Sequence, residues 1–91
     1  MDFGIMVEKI IKEQEGIIGP IALEQAQKVP GLKINWQKHE VNFDGNQKEI
    51  VEKLVEKYKD IFGQASVEVC RGAVKGMLTG VSKEIIPPLL Q

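Results

Sequence analysis

Few residues of this 91-residue chain could carry out chemistry: it holds a single histidine (His39), a single cysteine (Cys70) and a single tryptophan (Trp36). Acid–base or nucleophilic catalysis needs several convergent groups, one of them oriented by another. His39 sits between Lys38 and Glu40 at the tip of an expected turn, without a partner at triad or metal-ligand spacing. It therefore reads as a solvated loop residue and as a candidate contact for a partner. A lone cysteine excludes an intramolecular disulfide and a multi-cysteine zinc site, so Cys70 reads as a small core residue. These residues assign no catalytic centre, no cofactor and no metal, and the chain reads as a non-enzyme.

Glu24 and Glu68 are a candidate site of another kind. They occupy equivalent points of an internal repeat described below, so two carboxylates facing each other between the repeats could share a proton or a divalent ion. The competing reading pairs Glu24 with Lys28 and Glu68 with Arg71 along their own helices. Gly72, Gly76 and Gly80 recur every four residues, which on a helix makes a smooth strip. Glycine costs a helix roughly 1 kcal/mol relative to alanine, so Gly72 and Gly76 are candidates for a close contact, a homodimer seam among them. No glycine spacing matches a phosphate-cradling loop. Trp36 and Phe43, with Tyr58, are expected to cap the core beneath a hairpin. Splayed outward, Trp36 and Phe43 would instead form an apolar patch for a protein partner.

These residues are positioned by a repeat. Residues 6–28 align with 50–72 at a constant offset of 44, with identities at Val7/Val51, Glu8/Glu52, Lys9/Lys53, Ile17/Ile61, Gly19/Gly63 and Glu24/Glu68. The register survives the turn inside each copy, which helical periodicity alone does not explain. In the first helix Met6, Val7, Ile10, Ile11 and Ile17 fall on adjoining i, i+3, i+4 rows, and Ile50, Val51, Leu54, Val55, Tyr58 and Ile61 repeat the stripe. The turn is expected at Glu15-Gly16 and Lys59-Asp60, with Gly19 and Gly63 capping the second helices. Pro20 takes the first helical position, and Ile18/Leu23 and Phe62/Val67 act as hydrophobic staples. The second helices are expected over Pro20 to about Val29, before Pro30-Gly31, and over Gln64 to about Leu78.

Between the copies, 32–44 alternates with period two: Leu32, Ile34 and Trp36 against polar neighbours, then Val41 and Phe43. That predicts a short β-hairpin turning at Gln37 to Glu40, followed by a capping box of Asn46 and Glu49. A helical turn over Lys83 to Ile86 is expected to end at Pro87-Pro88. The fold class is thus mainly α, two pseudo-repeated helical hairpins (four main helices) around a central β-hairpin, within one domain over 1–91.

The balance of 12 basic and 13 acidic residues, net charge -1, lacks the clustered cations of a phosphate-binding surface, so nucleic acid is disfavoured as a partner. No apolar run could span a bilayer and no signal peptide is visible, so the cytoplasm is the expected location. The string Ile17-Ile18-Gly19-Pro20-Ile21-Ala22 between two amphipathic helices resembles a small helical module of unknown function in bacterial signalling proteins, fused there to serine/threonine kinases and similar regulators. The likeness covers about 25 residues of the first copy, and Gln64 stands in the second copy where the proline would be. It implies a signalling or scaffolding context and carries over no functional residue. The favoured reading is a protein-interaction or regulatory module. The alternatives are a nucleic-acid-binding domain and a small-molecule or metal sensor between the repeats.

Overall fold

A computed structural model describes residues 2–91. Four helices and a two-stranded antiparallel sheet follow in the order α1 (Phe3–Ile18), α2 (Ile21–Gln27), β1 (Leu32–Asn35), β2 (Glu40–Phe43), α3 (Gln47–Phe62) and α4 (Gln64–Val74), with the sheet packed on α1 and α2. The mainly helical class with a hairpin between helix pairs is as expected.

The two long helices begin and end by the same local chemistry. Asp2 caps α1, its Oδ1 accepting from the Ile5 N–H at 3.1 Å, and Asn46 caps α3, its Oδ1 accepting from the Glu49 N–H at 3.0 Å. Each such cap is worth about 1 kcal/mol. Both helices are 16 residues long. They end at Gly19 (φ 76, ψ −158) and Gly63 (φ 83, ψ −172), whose N–H groups donate to Glu15 and Lys59 carbonyls at 3.0 and 2.8 Å. That backbone region is essentially restricted to glycine. The helices therefore run through Glu15-Gly16 and Lys59-Asp60, where turns were expected, because a glycine or aspartate in helical conformation does not stop a helix. Pro20 carries helical angles just ahead of α2.

The buried faces coincide at the same offset. Met6, Val7, Ile10, Ile11 and Gln14 are buried on α1; Ile50, Val51, Leu54, Val55 and Tyr58 on α3. Ala22 and Ala26 of α2 face Ser66 and Cys70 of α4 in the alignment, and all four are buried. Two buried hydrogen bonds cross between the hairpins. Gln14 Nε2 donates to the Ser66 carbonyl at 2.9 Å, and Tyr58 Oη donates to the Ala22 carbonyl at 2.6 Å. Gln14 and Tyr58 are 44 apart, and so are Ser66 and Ala22. Each long helix thus fastens its last turns to the first turn of the other hairpin's short helix, bringing the two corners together at one end of the molecule.

Cys70 lies inside this contact as a core residue, 3.3 Å from Gln14 Nε2. Burial pushes its thiol from 9.0 up to about 11, and burial also raises the Tyr58 phenol, with lesser contributions from Cys70 and Glu15. For an acid whose folded pKa is raised, the stabilisation is complete below the unfolded value and is lost as pH rises through the folded one. Stability should hold up to pH 9.0 and fall toward pH 11, and Cys70→Ala should flatten part of that fall; denaturant titrations across this range check it. In the native state at neutral pH the thiol should resist alkylation and should react only after unfolding.

α2 stops at Gln27, two residues earlier than expected, while α4 gives way at Lys75–Met77 to a 3-10 turn. β1 pairs with β2 from Leu32 opposite Phe43 to Asn35 opposite Glu40. The loop is thus Trp36 to His39, one residue earlier than the expected turn. The tail does more than break: Ile86, Pro87 and Leu90 are buried, and a second 3-10 turn spans Pro88–Leu90. Glu52 Oε1 accepts from the Leu89 N–H at 2.8 Å, and Arg71 Nε donates to the Leu89 carbonyl at 3.0 Å, so α3 and α4 strap the tail down.

Candidate functional site

The hairpin loop lies against the outer face of α1. Asn35 Oδ1 accepts from the Lys38 N–H at 3.2 Å, and the His39 N–H donates to the Trp36 carbonyl at 3.2 Å, closing a four-residue turn. His39 has φ 54, the one non-glycine in the left-handed region among the described residues. Side chains pay of order 1 kcal/mol there, and this one gains a partner: its Nδ1 lies 3.0 Å from Glu8 Oε1. An ionised carboxylate only accepts, so Nδ1 carries the proton in this contact.

The loop, α1 and Ala73 of α4 line an open cleft of about 530 Å3. Trp36, Ile5 and Ala73 provide its apolar surface, and Glu8, Lys9, Lys12, Glu13, Glu15 and His39 surround it with both charge signs. Trp36 is half-buried, its ring packed against the core and tilted 47° to the His39 ring at 6.4 Å between centroids. Ile5 is 46% exposed and the His39 side chain 75%. An apolar floor with a mixed charged rim is the anatomy of a polypeptide contact surface.

The chain matches no protein-family model, no curated protein and no solved structure. The site therefore speaks through its geometry.

Of the residues singled out in the sequence, the structure joins Trp36 and His39 in this cleft. Phe43 is elsewhere, paired with Leu32 and half-buried against the core as expected of a capping residue. The glycine strip does not form. Gly72 lies on α4, Gly76 in the 3-10 turn and Gly80 in the turn that follows, because α4 ends at Val74. A Cβ added at any of the three would meet nothing within 4 Å, so no backbone approaches closely there.

Glu24 and Glu68 are both exposed. Glu68 is bound by Arg71 Nη1 at 2.7 Å and approached by Gln64, as the helical reading has it. Glu24 makes no ion pair with Lys28 among the described residues, since α2 has already ended at Gln27. Among the described residues no group of three or more His, Cys, Asp or Glu is placed to hold a metal. Among the described residues no helix is long and apolar enough to cross a membrane.

Sequence reasoning missed Ile5, Glu8 and Ala73 as neighbours of the loop. One signal was legible: Ile5 is apolar but lies off the stripe of Met6, Val7, Ile10 and Ile11, so the core does not account for it.

Proposed function

We propose that this protein is a non-enzymatic protein-interaction or regulatory module of the cytoplasm, and that the cleft between α1 and the hairpin loop receives an extended or helical segment of a partner. The observation that supports it is the pairing of Trp36 with exposed Ile5 on an apolar floor, ringed by charges of both signs. Tryptophan is enriched among residues that dominate binding energy when partly buried and surrounded by a rim that excludes water. The mixed rim suits a polypeptide carrying both signs better than a polyanion, which calls for clustered lysine and arginine.

The test is capture of partners from native cells by the tagged wild-type chain and by Trp36→Ala and Ile5→Lys. Ile5 is exposed, so its variant should keep the fold even if loss of the half-buried indole loosens it. A specific partner should bind the wild type, and both variants should weaken it by at least about tenfold, or roughly 1.4 kcal/mol. Equal recovery by wild type and Ile5→Lys would refute the assignment of the cleft.

A further inference from the structure

The joined corners leave apolar surface that the fold itself does not use. Ile17, in the last turn of α1, is 64% exposed, and Ile61, its counterpart in α3, is 45% exposed. Beside them Ile18 and Phe62 are only partly buried. The bonds from Gln14 to Ser66 and from Tyr58 to Ala22 tie both corners to the same end, so each apolar stripe runs off the core into an exposed isoleucine at that end.

One turn before these isoleucines the charge inverts between the corners, and Asp60, beside Ile61, is the one charge there whose counterpart, Gly16, carries none. One turn before Ile17 stands Glu13, and one turn before Ile61 stands Lys57. Lys12 and Glu15 of α1 likewise correspond to Glu56 and Lys59 of α3. Glu13, Glu15, Lys57 and Lys59 make no ion pair within the chain among the described residues. A surface of this kind is complementary to itself under a two-fold rotation: each corner of one copy meets the opposite corner of the other.

We infer that this end is an interface with a second copy of the chain, in which Ile17 packs against the partner's Ile61 and Glu13 opposes the partner's Lys57, each contact made twice. Charge complementarity selects the second copy. The same apolar pair with like-charged corners would have no such preference, because like charges brought together at an interface suppress the wrong partner.

Sedimentation over a concentration series tests it, using purified wild type, Ile17→Asp, Glu13→Lys and Lys57→Glu. Wild type should show a reversible monomer–dimer equilibrium and Ile17→Asp only monomer. Glu13→Lys and Lys57→Glu should each dimerise on the order of tenfold more weakly alone. In Glu13→Lys position 13 and residue 57 are both basic, and in Lys57→Glu both are acidic. Mixing the two variants should therefore restore association as a heterodimer. A wild type that stays monomeric throughout, association unchanged in Ile17→Asp, or mixed variants no tighter than either alone would each overturn the inference.

Discussion

Replacing Gln14 by leucine and Tyr58 by phenylalanine together is expected to lower the unfolding free energy by about 2–4 kcal/mol, with each single change costing about 1–2 kcal/mol. Both side chains are buried, and both reach across to the other hairpin, Gln14 to the Ser66 carbonyl and Tyr58 to the Ala22 carbonyl. The substitutions keep most of the packed volume, so the loss isolates the hydrogen bonds. Gln14→Leu also removes the donor that approaches Cys70 Sγ. Denaturant unfolding of the four chains should shift midpoints with unchanged slope. A double variant as stable as wild type would show that apolar contact alone holds the corners together.

Gly31→Ala should be more disruptive than either single change, at about 3 kcal/mol or more. Gly31 has φ +81, and a Cβ there would stand 2.6 Å from the Asp44 carbonyl oxygen and 3.0 Å from Ile50 Cδ1. The first obstacle is backbone, held in place because the Asp44 N–H donates to the Gly31 carbonyl at 2.7 Å. An alanine must therefore break the clasp that closes the base of the hairpin and displace a core residue at the start of α3. Thermal unfolding, read alongside exchange of the strand amides, would report both the lost stability and the loosened hairpin. Gly63→Ala is the instructive contrast, since nothing lies within 4 Å of its added Cβ and only backbone strain is left.

Much of this architecture was legible because it rests on periodicity. The 3.6-residue stripes of Met6 to Ile11 and Ile50 to Val55 are buried, though their expected ends at Ile17 and Ile61 are exposed, and the two-residue alternation buries Leu32 and half-buries Ile34, Trp36, Val41 and Phe43. Boundaries were less legible. Gly16 and Asp60 look like breakers but sit inside helices, whereas Gly19 and Gly63 end them through positive φ, which composition alone does not reveal. The tail was underestimated, since its anchoring depends on Glu52 and Arg71, distant in sequence from Leu89.

The candidate site was half legible. Trp36 and His39 stand out as single residues of their kind, but their meeting with Ile5 and Glu8 depends on how the hairpin folds back on α1. The Gly72, Gly76 strip assumed a helix continuing past Val74. Glu24 and Glu68 are exposed, and Glu68 is bound along its own helix by Arg71, the contact that helical spacing also offered. In this fold it is Gln14 and Tyr58, nearer the corners, that reach across between the hairpins.

The most direct test of the cleft as an interaction site is photo-crosslinking in native cells, with a photoreactive amino acid placed at His39 or, as a control, at exposed Lys53 on α3. The account predicts a discrete protein adduct from position 39 and none from position 53. No adduct from position 39, or the same adduct from both positions, would contradict it.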